Sequence, residues 1–534
     1  MRNVTLLKTE KGFLWNQNKT TAIKGYFYDD LNKLYSGNET LSIFENIEFQ
    51  SEFIKQIKSL NGIFTIIHTN KNDEIFIASD TSRIFPIYYK TIDTKILISD
   101  SIEFLIEKDK ALDVNTKGEM EFAASGYTLG NKTLINNIAQ IQSNEYLIFK
   151  DSKIINQGFF FTYRTSNSII NTKETVLKEK LTQTINNSFG RMIASLNNQQ
   201  VFVPLSGGYD SRLIACLLKK HKYKNVICFT YGRKNNIEVA LAKKTAETLS
   251  YPWIFIEYNK NLFRKFIEEE SFKDYVNKTA HYSSMPFLQE YFAVKYLFKN
   301  KIANQNSIFI PGHSGDVLGG SLYIKLIQKN LNSKNIARVL YNYNFPFTKK
   351  TKIYKNEIIN SIEKQLNEFG GIKEHSSSSI IEDFMIKERI AKFIINSSNI
   401  YEYFNYELRL PFWDLELLFY FKQLPKKYKL EKKLFNEVLE KLFFEPAGIN
   451  FKDNLNPSKI DLYIYKYKKK IKKITPKKIL NFFVLKNDYL NSAEMIEQMN
   501  FQITSKGIKL KPNIKEYNER IIEWYLHFIK GNLN

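Results

Sequence analysis

The run VFVPLSGGYDSRLIACLL, residues 201–218, sets an apolar β-branched stretch, a Ser-Gly-Gly turn and an amphipathic helical pattern in succession. Strand, tight loop and helix in that order suit a phosphate group. The first N–H groups of a helix lack partners inside it and lie at its positive end, so an anion there satisfies donors and dipole together. Gly207 and Gly208 let the chain approach phosphate oxygens with no Cβ in the way, and Ser206 and Ser211 add hydroxyl donors. Asp210 is the odd member. A carboxylate beside phosphates is repelled unless a cation lies between them, so its presence implies Mg²⁺. A plain glycine turn with a helix N-cap would use one Gly and one Ser and leave the second Gly and Asp210 without a role.

SGGYDS resembles the pyrophosphate loop SGGxDS of the ATP pyrophosphatases, and its surroundings resemble their asparagine synthetase branch. No Gly-Lys-Ser/Thr follows, so it is not a Walker A loop, and no GxGxxG supports a dinucleotide fold. The resemblance implies ATP as cofactor, bound by Leu205, Ser206, Gly207, Gly208, Asp210, Ser211, Tyr231 and Gly312. It further implies that a substrate carboxylate attacks the α-phosphorus and pyrophosphate leaves, giving an acyl-adenylate. A second segment, PGHSGDVLGG at 311–320, follows another apolar strand at 307–310 and resembles the family's GEGxDExxGG. Through it Gly312 is expected where the backbone passes the nucleotide, and Asp316 as the second Mg²⁺ carboxylate beside Asp210. His313 stands where the family has Glu and the β-lactam-forming relatives have Tyr, which makes it the expected base for the attacking amine. The alternative is a solvated loop histidine, and either role is compatible with an imidazole pKa of about 6.5. A third segment, YELRLPFWD at 406–414, resembles EVRxPFLD. Glu407 is expected to position the carboxylate substrate or move a proton, with a structural Glu407–Arg409 ion pair as the alternative. Lys452 in INFKDN is the candidate for the family's catalytic lysine, where a cation would stabilise the adenylation transition state.

Ahead of these segments, NGIFTII at 61–67, IFIASD at 75–80, FPIYY at 85–89 and ILISDS at 96–101 alternate apolar and turn residues as antiparallel strands do. They resemble the class II glutamine amidotransferase domain, which uses a cysteine exposed as its first residue. Here Arg2 follows Met1, and the two cysteines are Cys216 and Cys228, on the helix after the phosphate loop and on the next strand. Both read as buried structural thiols. Gly25-Tyr26-Phe27 stands where the family binds glutamine through Asn-Gly-Glu. The expectation is a glutaminase fold kept as a scaffold, with nitrogen coming from ammonia or from an amine on a substrate.

These segments need an α+β, Ntn-hydrolase-like sandwich over residues 1–160, then an α/β adenine nucleotide α-hydrolase-like domain over 173–450 with a parallel sheet and additional helices, and a basic helical extension over 451–534. With 534 residues and 43% hydrophobic side chains, two or three domains can each bury a core. No apolar run approaches the roughly 20 residues that cross a bilayer, no signal segment opens the chain, and two unpaired cysteines suit the cytoplasm. The formal charge of +23 fits a general compositional drift towards Lys, Asn, Ile, Phe and Tyr, and its concentrated part is 463–478, where eight lysines alternate with Tyr and Ile. A solvated face or linker is the expected reading, with peripheral contact to an anionic membrane as the alternative and nucleic acid not expected. The leading function is therefore an amide-forming ligase acting on a small-molecule or glycan-precursor carboxylate. A catalytically inactive scaffold and a tRNA-modifying ATP pyrophosphatase are the alternatives. Gly312-His313-Ser314-Gly315 nearly spells a serine-hydrolase elbow, but Asp316 stands where its second Gly belongs.

Overall fold

Alternation of apolar residues forces the first 160 residues into sheets that bury one or both faces. The computed structural model describes residues 4–6, 12–92, 95–106, 113–165, 172–315, 317–321, 331–347, 354–451, 488–510 and 517–531. Its N-terminal strands are β1 (Val4–Thr5), β2 (Trp15–Gln17), β3 (Thr21–Tyr28), β4 (Leu34–Ser36), β5 (Asn61–Thr69), β6 (Ile75–Ser79), β7 (Tyr88–Ile92), β8 (Lys95–Ser99), β9 (Ala139–Gln140), β10 (Glu145–Lys150) and β11 (Lys153–Phe159). One sheet has the order β11-β10-β6-β5-β3-β2 with β4 on β3, and a smaller one has the order β1-β8-β7-β9. Period-two alternation decides the packing. Phe64, Ile66, Phe76, Ala78 and Ile148 face a core with Phe53 and Ile57 of α1 (Gln50–Ser59), while Ile67, Ile77, Leu147 and Phe149 face Ile87, Ile96 and Ile98 of the smaller sheet. Helix α2 (Thr116–Ser125) lies between β8 and β9 in sequence and is capped by Asn115, whose Oδ1 accepts from Gly118 N–H at 3.0 Å.

After α3 (Glu174–Ala194) the period changes to strand and helix in alternation, with β12 (Val201–Pro204), α4 (Tyr209–Lys220), β13 (Val226–Gly232), α5 (Ile237–Thr248), β14 (Trp253–Glu257), α6 (Tyr291–Lys299), β15 (Ile308–Phe309) and β16 (Glu407–Leu408). The five strands are parallel in the order β14-β13-β12-β15-β16. From β12 the chain moves outward through β13 and β14, then returns to the other side of β12 for β15. That reversal makes a topological switch point between β12 and β15, and ligands of open parallel sheets bind at the carboxyl ends there. The loops that leave these two strands are SGGYDS and PGHSG.

Helices α7 (Lys355–Glu368) and α8 (Ser377–Met385) follow, and α8 runs on through a π-type stretch at Ile386–Ile394. That stretch and α8 carry enclosed ions: Asp383 with Lys387 at 3.0 Å, and Glu388 with Lys392 at 2.7 Å, the latter pair 0% exposed. The N-terminal half supplies further partners. Gly130 N–H donates to Glu388 at 3.0 Å, Lys392 donates to the Thr128 carbonyl at 3.1 Å, and Tyr163 N–H donates to Asp383 at 2.7 Å. Elsewhere on the same interface Lys24 pairs with Glu402, and Asn61 and Arg191 converge on Asp414.

The segment 463–478 lies outside the described residues. The described parts of the tail, α9 (Ser492–Ser505) and α10 (Tyr517–Ile529), pack into the body rather than standing apart: Trp524 and Tyr525 are buried, and Tyr525 meets Phe122 of α2. No described helix is long and apolar enough to cross a membrane.

Candidate active site at the sheet switch point

Leu205 leaves β12 by donating its N–H to the Phe229 carbonyl at 2.8 Å and taking the Thr230 hydroxyl on its own carbonyl at 2.7 Å, so the loop starts anchored to β13. Ser206 and Ser211 hydroxyls lie 3.1 Å apart across the turn, and Gly208 N–H donates to Ser206 Oγ at 3.1 Å. Gly208 is the N-cap of α4 and brings no side chain to cap it, so the first-turn donors point out of the helix end. Beneath the turn, buried Arg212 donates to the Gly207 carbonyl at 2.6 Å and to the Ile449 carbonyl at 3.1 Å. Its guanidinium lies over the rings of Tyr209, Phe444 and Phe451. The loop backbone is thus pinned from below while its upper side stays open.

The second loop closes against the first. A Cβ on Gly312 would lie 2.7 Å from Ser211 N, and one on Gly315 would lie 2.6 Å from the Asp210 carboxyl carbon. Only glycine permits both approaches, so the turn after β15 rests directly on the N-terminus of α4 and on Asp210. Ser314 holds a left-handed φ of 78°, a strained choice for a non-glycine residue. Its Oγ and His313 Nε2 are buried with no hydrogen-bond partner among the described residues. Buried orphan polar atoms on consecutive residues, beside a helix N-terminus and a carboxylate, are what a site completed by a polyanion and its cation requires. Asp316 lies outside the described residues, and among those described no cluster of three or more His, Cys, Asp or Glu side chains is set to hold a metal.

His313 departs from the ordinary imidazole expected of it. Burial pulls its pKa down to about 4, so it is neutral at physiological pH. Tyr231 lies in β13, two residues after Phe229 whose carbonyl anchors Leu205, and its ring stacks on Tyr258 at 5.3 Å.

Glu407 is not brought to this site. In the parallel register it faces Ile308, four residues before Gly312, and strands rise by about 3.3 Å per residue. Its carboxylate instead accepts from Arg409 Nη1 at 2.9 Å, and Arg409 is held by Ser195 at 2.8 Å and lies over the Tyr26 ring at 4.5 Å. The structural ion pair is what forms, and it ties the sheet edge to the N-terminal half. Lys452 lies outside the described residues.

Two acidic residues at the site were not anticipated. Glu238, in the first turn of α5, accepts the Gly207 N–H at 2.6 Å, which places a carboxylate on a donor of the phosphate loop. Its signal is an acid in the opening turn of the helix that follows the next strand. Glu290, the residue before α6, is 2% exposed, and burial pushes its carboxyl up to about 7. Its charge is felt by Tyr231, Tyr258 and Tyr401, and no local pattern marks it.

Comparison with known proteins follows this division of the chain. The asparagine synthase family model matches residues 193–445, and a glutamine amidotransferase domain matches residues 47–160. A 7-cyano-7-deazaguanine synthase of Caldicellulosiruptor saccharolyticus is 28% identical over 109 residues, which are 20% of this chain and 44% of that protein. The chain therefore spans less than half the length of that relative. An NH3-dependent NAD synthetase structure from Campylobacter jejuni, in complex with the nitrate ion, aligns over 38% of this chain and 97% of its own at 16% identity with a TM-score of 0.20. A region matching a glutamine amidotransferase domain thus leads into a region matching the asparagine synthase family, and the second region holds the SGGYDS loop.

Proposed function

We propose that the protein is an ATP-dependent carbon–nitrogen ligase that adenylates a substrate carboxylate, releases pyrophosphate and transfers the acyl group to ammonia or an amine. The observation that carries this reading is the contact of Gly312 and Gly315 with the N-terminus of α4 and Asp210, because it sets two strand-end loops around one anion site. Asp210 and Asp316 would hold Mg²⁺, which supplies charge neutralisation as pyrophosphate departs. Ser206, Ser211 and the opening N–H groups of α4 bind the phosphates, and Glu238 yields the Gly207 N–H when they arrive. His313 offers the amine an imidazole that burial keeps neutral, with its pKa pulled down to about 4. The acceptor carboxylate is read as a small molecule or glycan precursor, and the compartment as the cytoplasm.

Glutamine is not the nitrogen source through this chain's own hydrolysis, and the amidotransferase domain acts as a scaffold. Burial pushes the Cys216 thiol up to about 11 and the Cys228 thiol up to about 12, so neither supplies a thiolate, and neither lies in that domain. The deciding assay is pyrophosphate release with ATP, Mg²⁺ and ammonium over a panel of carboxylates, alongside calorimetric titration with ATP. Absence of both ATP binding and pyrophosphate under every condition sinks the ligase reading. Glutamate released from glutamine by the purified full chain sinks the scaffold reading.

A further inference from the structure

A cleft of about 1320 Å³ opens between the N-terminal half and α7, and none of its lining residues belongs to the phosphate loop or to the loop after β15. Small-molecule pockets hold about 300–1,000 Å³, so this one admits a ligand larger than an amino acid. Its floor is polar and buried, with Glu121 2% exposed and Gln142, Glu145 and Gln365 each 7% exposed. Most of these groups have partners. Glu121 meets Lys132 at 3.2 Å and accepts from Leu129 N–H at 2.9 Å and the Ser361 hydroxyl at 2.8 Å. Gln365 donates to Glu388, and the ring faces of Phe159 and Phe369 are covered by the Lys387 ammonium at 4.1 and 4.9 Å. The two aromatic faces of the cleft are therefore taken by a cation.

Glu145 is the exception. Its two oxygens accept only from Gln142, the backbone N–H at 2.7 Å and the side-chain amide at 3.2 Å, and no cation meets it among the described residues. Burial pushes its carboxyl up to about 7 against the weaker pull of Lys392 and Lys387. A buried carboxylate facing an open cavity calls for a counter-charge, and a cationic group on a ligand supplies it. Beside it the carboxamide of Asn131 can donate and accept, and Gln142 and Gln365, whose amides already donate to Glu145 and Glu388, add polar surface to the lining.

We propose that this cleft is a second binding site, for a hydrophilic ligand held through a primary ammonium group on Glu145 and through carboxamide contacts to its polar body. The site stands independently of the ligase reading.

Titration calorimetry of the full chain at pH 8 tests it with two ammonium probes, lysine amide and glucosamine, each against a neutral twin, norleucine amide and glucose. At least one ammonium probe is expected to bind at about 1 mM or tighter and about tenfold better than its twin. Glu145→Gln should erase that preference. Asn360→Trp, on the exposed side of α7 lining the cleft, should weaken binding about tenfold with an unchanged melting temperature, which keeps the test valid if Glu145→Gln folds poorly. Asp210→Ala should bind the probe as the wild type does. The proposal is overturned if neither ammonium probe beats its twin, or if a well-folded Glu145→Gln keeps the preference. It is equally overturned if binding survives Asn360→Trp and is lost in Asp210→Ala, which would place the probe at the phosphate loop.

Discussion

Gly25 and Gly312 are both glycines at which a Cβ would strike backbone, and they serve different ends in the two halves of the molecule. At Gly25, with φ 108°, the collision would be with the Ile63 carbonyl of the paired strand, so the residue keeps β3 against β5. At Gly312 it would be with Ser211 N at the mouth of the phosphate loop, so the residue brings two loops around one point in space. Polar groups of backbone and side chain differ between the two places as well. In the N-terminal half Lys24, Asn61, Thr128, Gly130 and Tyr163 give their hydrogen-bonding groups to the other half, and the interface consumes them. Around the phosphate loop, His313 and Ser314 keep polar atoms buried without a partner among the described residues. The proposed division is thus between a half that supplies an interface and a half that holds polar groups beside a loop.

Asp210→Ala tests this contrast most strongly. Pyrophosphate release should fall by about 10³-fold or more, equivalent to roughly 4 kcal/mol of transition-state stabilisation, with the melting temperature nearly unchanged. A variant that kept most of its rate would show that the glycine clasp serves packing here too. Next comes Lys392→Met on the interface side. It removes the ammonium partner of Glu388 in a fully enclosed site, and losing one partner of a buried pair costs about 3–5 kcal/mol, or about 3–4 °C for a chain of 534 residues melting in one transition, by scanning fluorimetry. A drop of less than about 2 °C would mean that the halves are held by something else.

His313→Ala should slow amide formation by about 10²-fold in single-turnover assays while adenylation proceeds. Because burial lowers the free-state pKa to about 4, the imidazole is already neutral through the neutral range. A wild-type limb between pH 6 and 7 in the free protein, lost in the variant, would contradict that environment. The smallest effect belongs to Glu290→Gln. Its folded pKa of about 7 lies above the unfolded value near 4.3, so its carboxyl favours the folded state at low pH, and that contribution is lost as pH rises through 7. The variant should melt a few degrees higher than wild type at pH 8 and gain less at pH 5. Equal gains at both pH values would show that titration is not the cause.

The phosphate loop could be read from the sequence because strand, glycine turn and helix are local patterns, whereas the pairing of β12 with β15 that flanks the switch point comes only from the sheet. The period-two strands of the first 160 residues were legible for the same reason. What escaped is set by tertiary enclosure. Asp383, Lys387, Glu388 and Lys392 carry the i,i+4 acid and base spacing of a solvated helix face, yet they are buried, because residues 128–163 dock over them. Glu407 lies in a motif that points to chemistry, yet parallel register puts it at the wrong end of its strand. His313 has the right residue type for a base, but its pKa depends on burial that no spacing reveals.

The enclosed ions on α8 and its π-type continuation have a consequence for how the chain assembles. Neither half can complete itself alone: without residues 128–163, Glu388 and Lys392 lose the amide and carbonyl that satisfy them, and without residues 377–394 those backbone groups lose their partners in turn. The N-terminal half is made first on the ribosome, so it must wait for more than two hundred further residues, on the order of tens of seconds of synthesis, before its docking surface is met. The two halves should then close in one late, cooperative step and melt in a single calorimetric transition, although two family domains are present.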